Sequence, residues 1–124
     1  MVSQGPALAK SAQELLGDFV ATGRQEPFEE IVRRYAGMVF NVCYQILRDS
    51  HDAEDATQAV FLTLAVKSKT ETGIKYLAPW LQKVAQRLAL DVKRSKTRRK
   101  VREERHSVMQ QMNAGDGDTS GVYD

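Results

Sequence analysis

Two kinds of side-chain grouping in this sequence are able to do chemistry. The first looks catalytic. His51 and Asp55 stand four residues apart, one helical turn, and both side chains are metal-ligand types. Two ligands without further histidines or cysteines make a weak site. Acidic residues in the first turn of a helix are ordinarily accounted for by the helix dipole. Cys43 is the single cysteine, which rules out an internal disulfide and a multi-cysteine metal site. No Ser/His/Asp grouping and no glycine-rich phosphate loop occurs. The expectation is a protein that is not an enzyme and holds neither metal nor cofactor.

The second kind of grouping is suited to binding. On a wheel of 100° per residue, Asp55, Gln58, Ala59, Leu62 and Val66 share one stripe, opposite Ala53, Ala56, Val60 and Leu64. A leucine and a valine beside an aspartate and a glutamine suit a face that docks another protein, apolar at its centre and polar around it. Scattered exposed apolar residues are the plainer explanation. Farther on, Lys83, Arg87, Leu90 and Arg94 stack on one side of a helix, with Gln86, Lys93 and Thr97 beside them. Lysine and arginine neutralise phosphates, and glutamine and arginine read base edges. The same pattern is compatible with a solvated face. A basic amphipathic helix also suits anionic lipid, but this one is too polar around its tip, and no membrane partner is expected.

These faces need helices to carry them. The chain has 124 residues, one domain's worth of material. No segment alternates with period two, and no apolar run approaches the ~18 residues of a membrane span. The start of the chain lacks the charged and apolar stretches of a secretory signal, and a reducing, cytosolic setting fits the lone cysteine best. Helical spacing of Leu8, Ala12, Leu15, Leu16, Phe19 and Val20 predicts a helix over about 9–22, ended by Gly23. Phe28, Ile31, Val32, Tyr35, Val39, Val42, Cys43, Ile46 and Leu47 step by three and four, predicting a helix over 27–48. Gly37 inside it suggests close approach of a neighbouring helix. Ser50 is the expected N-cap of a third helix over about 51–68. After a polar loop around Gly73, a fourth helix starts at Lys75 or Pro79 and runs to near Arg105. Trp80, Leu81, Val84, Ala85, Leu88 and Val92 line its apolar face. The fold class that follows is all-α, a compact bundle of about four helices.

Charge is unevenly placed. The net charge is only +2, yet residues 93–105, KRSKTRRKVREER, hold eight basic and two acidic residues. That block carries +6 and leaves −4 on the remainder. Such a block suggests a polyanion partner, or else a solvated helix end or tail.

In order along the chain, FEEIVRRYAGMVFNVCYQIL, DAEDATQAVFLTL and APWLQKVAQRLALDVKR resemble region 2 of the extracytoplasmic-function (ECF) group of sigma-70 transcription initiation factors. The combination of DAED-x-x-Q-x-x-F with W-L-x-x-x-A-x-x-x-A-L-D is its most specific part, and the likeness covers about residues 28–99. It implies a bacterial helical domain that binds RNA polymerase core and recognises and helps to melt the promoter −10 element. The DAED/Q helix of the family docks on the clamp coiled coil of the largest polymerase subunit. That role falls on Asp55, Gln58 and Leu62, with Asp52 at the edge and Ala59 where the family usually has an acidic residue. The family's last helix lies along −10 DNA, which assigns Lys83, Gln86, Arg87, Leu90 and Arg94. Arg87 stands where asparagine is common. The loop at 70–78 corresponds to the segment that captures an unstacked, single-stranded promoter base.

On this resemblance, residues 1–106 form the region 2-like domain, and 107–124 a disordered tail or the start of an interdomain linker. The family's C-terminal helix-turn-helix domain is expected to be missing from this chain, as in a fragment. An anti-sigma factor is a further partner the resemblance admits. The competing reading is a helical protein-interaction module, or a transcription regulator without direct DNA reading.

Overall fold

The computed structural model describes residues 10–70 and 74–115. The described residues are helical, in four elements: α1 (Ala12–Thr22), α2 (Gln25–Leu47), α3 (Ser50–Thr70) and α4 (Leu77–Gly115). The all-α expectation holds, and the local chemistry of each terminus explains the boundaries. α1 begins three residues later than its apolar spacing suggested, because a capping box fixes it there. Ser11 Oγ accepts from the Glu14 amide at 3.1 Å, and Glu14 Oε1 accepts from the Ser11 amide at 2.9 Å. Leu8 lies outside the described residues. Gly23 closes α1 in the left-handed region at φ 71°, its amide donating to Phe19 O at 2.8 Å. α2 closes in the same way at Arg48, φ 56°, with a bond to Tyr44 O. A side chain in that region costs about 1 kcal/mol or more.

The start of α3 corrects the sequence reading. Ser50 is already helical, and Asp49 is the cap: its Oδ1 accepts from the Asp52 amide at 2.8 Å, while its carbonyl accepts from Ala53 at 2.9 Å. Both residue types are good caps, and the wheel alone does not choose between neighbours. α4 ends at Gly115 rather than near Arg105. Residues 106–114 contain no proline or glycine, and their glutamines and methionines are good helix formers. The segment read as a tail or linker from 107 is therefore helical as far as 115; residues 116–124 lie outside the described set.

The chain divides into two units, residues 1–91 and 92–124. The first holds one apolar core. α1 contributes Leu15 and Leu16, α2 Ile31, Val39 and Cys43, and α3 Ala53, Ala56, Val60 and Leu64. The first part of α4 adds Leu81, Val84, Ala85 and Ala89. Trp80 and Leu88 pack against this cluster half-buried. Phe19 and Phe28 close the α1–α2 side with ring centroids 4.8 Å apart, and Lys69 of α3 sits 5.5 Å over the Phe19 ring. Gln13 of α1 donates to the Ile74 carbonyl at 2.5 Å, tying the residues just before α4 to the body. The second unit, taken by itself, is helical to Gly115, and its side chains over 93–113 are exposed.

The α2 pattern is only partly core. Val42 and Ile46 are half-buried, as are Val32, Tyr35 and Leu47. Gly37 does not serve helix approach: it is exposed, and a Cβ built there meets nothing within 4 Å. Glu30 is buried at 4% exposure and is held by Arg33 and by Arg34 Nε at 3.0 Å. A buried carboxylate requires such pairing.

Two stability measurements follow. Leu64 is fully buried and Leu62, two residues away, is 68% exposed. Denaturant unfolding should show Leu64→Ala costing about 2–5 kcal/mol, while Leu62→Ala stays within about 0.5 kcal/mol of wild type. Gly37→Ala should stabilise by about 0.5–1 kcal/mol, since it removes backbone entropy from the unfolded chain and meets no neighbour.

Candidate functional site

α3 has one ladder of residues that fits the core: Ala53, Ala56, Val60 and Leu64, extended by Phe61 and Ser68. Burying that ladder fixes the rotation of the helix about its axis. Asp55, Gln58, Leu62 and Val66 are then exposed, and Ala59 and Asp52 half-buried. The outward stripe expected from the wheel is the one observed. Thr57, on the core side of the helix, and Thr63, beside the outward stripe, turn their hydroxyls back to the carbonyls of Ala53 and Ala59, each at 2.7 Å. As donors, both hydroxyls are thereby committed to the helix itself. His51 Nε2 lies 3.7 Å from Asp55 Oδ2 with both side chains exposed. An exposed pair of this kind contributes little to stability. No group of three or more His, Cys, Asp or Glu side chains able to hold a metal occurs among the described residues.

On α4 the same logic applies. Leu81, Val84, Ala85 and Ala89 are buried, so Lys83, Gln86, Arg87 and Leu90 are exposed. Arg94 falls beyond the division between the units and is exposed in the second. Of the loop at 70–78, residues 71–73 lie outside the described set; Ile74 and Leu77 are buried, and Lys75 and Tyr76 are exposed. Tyr76, at 74% exposure, offers a bare aromatic ring directly before α4.

Cys43 is the remaining group with reactive potential, and its surroundings suppress it. It is fully buried in α2. Burial pushes the thiol above its ordinary range, and a hydrogen bond with the Thr57 side chain opposes that shift in part. The structure also holds two features that the sequence reading passed over. The Glu30–Arg33–Arg34 cluster was open to a reading of i,i+3 and i,i+4 spacing in EEIVRR. The amides Asn41, Gln45 and Gln82 line a groove together with Gln86. They come from two helices, so no single wheel brings them together.

The architecture is an all-helical domain with an exposed stripe of mixed polarity on α3 and exposed basic side chains, Lys83 and Arg87, on α4. Residues 31–99 match sigma-70 region 2. The chain belongs to that family. It is 31% identical over 77 residues to the ECF RNA polymerase sigma factor SigW of Bacillus subtilis (strain 168), a match covering 62% of this chain and 41% of that protein. It is 32% identical over 83 residues to the ECF RNA polymerase sigma factor SigE of Mycolicibacterium smegmatis, covering 64% of this chain and 32% of that protein. The matches thus span less than half the length of these curated relatives. No solved structure gave a significant match. No helix among the described residues is long and apolar enough to cross a membrane.

The buried thiol has a pH signature. A group that keeps its proton in the folded state, and loses it more readily unfolded, stabilises less as the pH rises through the unfolded thiol's titration. Unfolding measured between pH 7 and 10 should show stability falling above the ordinary thiol range, a slope that Cys43→Ala removes. Native protein should also be alkylated far more slowly than unfolded protein.

Proposed function

We propose that this chain is the part of an ECF sigma factor that binds RNA polymerase core and engages the promoter −10 element. The observation that carries the reading is the direction of the α3 stripe. Asp55, Gln58 and Leu62 stand in solvent while Ala56, Val60 and Leu64 hold the opposite face in the core. Exposed Leu62 and Val66, one turn apart and following Asp55 and Gln58 along the helix, offer a desolvatable patch with polar groups at one end. The clamp coiled coil of the largest polymerase subunit is its partner, with Asp52 and Ala59 at the margins of the contact. DNA falls to α4. Lys83 and Arg87 hold phosphates, Gln86 reaches toward bases, and Leu90 adds an apolar contact. Arg94 contributes from the second unit. Residues 70–78 capture one unstacked base. Pulling a base from the stack costs a few kcal/mol, which a complementary site offsets only for the right base. Opening is then strand capture, and this chain makes or breaks no bond. An anti-sigma protein that covers either stripe would act as an inhibitor.

Core binding tests the first half. With labelled chain titrated by purified polymerase core, Asp55→Ala and Gln58→Ala should each raise Kd about tenfold, or about 1.4 kcal/mol, with no change in Tm. Unchanged Kd in both variants removes the docking stripe. On the core-bound complex, Lys83→Ala and Arg87→Ala should weaken single-stranded DNA binding and shallow its salt dependence by about 0.7 each. If both leave DNA binding untouched while the α3 variants impair core binding, the chain is a protein-interaction module that does not read DNA.

A further inference from the structure

An open groove of about 800 Å³ runs along the first unit between α2 and α4, lined by Met38, Asn41, Val42, Gln45, Ile46, Gln82 and Gln86. Its makeup is a set of i,i+4 ladders. Asn41 and Gln45 form one amide pair on α2, and Gln82 and Gln86 form another on α4. Met38, Val42 and Ile46 form an apolar ladder between turns of α2. The four amides are exposed and the three apolar residues half-buried. None of the described residues that line the groove is charged. Among the described residues, none of the four amide groups is engaged by another protein group.

We propose that this groove is a nucleobase subsite, taking one unstacked base of the strand whose phosphates Lys83 and Arg87 hold. The inference rests on the DNA-engaging reading above and adds a place separate from the 70–78 loop. A base presents a flat, weakly polar face and an edge carrying donors and acceptors side by side. A carboxamide carries one donor group and one acceptor in a single plane and pairs with such an edge in bidentate fashion. The apolar ladder supplies a surface for the ring face. The lack of carboxylates leaves nothing to repel the sugar-phosphate chain, and the lack of cations makes the groove itself a poor phosphate site. Phosphate contacts sit next door: Lys83 follows Gln82 and Arg87 follows Gln86, each about 100° farther round the helix. Base-directed and backbone-directed side chains thus alternate on adjacent stripes of α4, which is the division of labour a single-strand reader needs.

The test uses the full chain bound to polymerase core. Single-stranded oligonucleotides with a short randomised segment are captured on this complex and sequenced, for wild type, the double variant Gln45→Met with Gln82→Met, and Lys83→Ala. The methionines keep side-chain length and remove the hydrogen-bonding group, at exposed positions where Tm should not move. The expected result is a base preference at one position that falls about fivefold or more in the amide variant, with the other positions unchanged. Lys83→Ala should lower the captured yield and keep every preference. Identical preferences in the wild-type and amide-variant pools overturn the proposal. Loss of core binding in the amide variant also overturns it, since the groove would then be a protein-docking slot. A wild-type pool with no preference at any position removes the −10 reading itself, and this subsite with it.

Discussion

The whole arrangement depends on how one narrow ladder on α3 is buried. With 3.6 residues per turn, a helix whose Ala53, Ala56, Val60 and Leu64 enter the core has no freedom left in its rotation. Two of the four are alanines, and both are buried. The core faces α1, α2 and the first part of α4. Asp55, Gln58 and Leu62 point outward as a geometric consequence of that packing. An outward stripe obtained in this way is pre-organised, and on the proposed function little conformational entropy is lost when a partner meets it. The Asp49 cap adds a second constraint. It fixes where the helix starts, and so at what height along the axis each outward residue stands.

Electrostatics then separates the faces. The first turn of α3 collects Asp52, Glu54 and Asp55, favourably placed at the positive end of the helix dipole. The exposed side of α4 carries Lys83 and Arg87, and the run from 93 to 105 is strongly basic. Glu30, the one buried carboxylate among the described residues, is neutralised within its own helix by Arg33 and Arg34, so the core carries no uncompensated charge from it. An acidic-edged stripe and a basic stripe on different helices do not compete for the same partner. Like-charge repulsion also steers a nucleic acid away from the α3 face.

The elements were legible in the sequence where the physics is local. Apolar residues at three- and four-residue steps gave away α2, and the outward directions of Gln58, Leu62, Lys83 and Arg87 were readable once each helix was assigned. Where two adjacent residues compete for one role, spacing does not decide, and Asp49 took the cap that Ser50 seemed to offer. Gly37 misled because a glycine in a helix has two explanations, close packing and simple tolerance, and only the neighbouring atoms distinguish them. The spacing of Val42 and Ile46 predicted a helix and left their depth open, because a wheel reports which residues are apolar and says nothing of how far the next helix reaches. The amide groove was invisible for a related reason. Its walls come from two helices far apart in the chain, and each amide pair alone is an ordinary polar stripe.

On the proposed function, two weak faces working together explain why neither needs to be strong. A single-stranded contact made by two or three cations and one or two bases is modest alone and sensitive to salt. Docking through α3 changes that arithmetic. Once the chain is fixed to the polymerase, the α4 stripe meets melted DNA at an effective concentration set by the geometry of the complex, and the second contact becomes intramolecular. The free chain is then kept from wandering over genomic DNA by the weakness of α4, and the complex is held on a promoter by the sum of both faces. Strengthening α4 with more cations would undermine this, because added phosphate contacts raise affinity for every sequence alike. The uncharged lining between α2 and α4 fits that requirement: amides add discrimination among bases while adding almost nothing to the non-specific attraction of a polyanion.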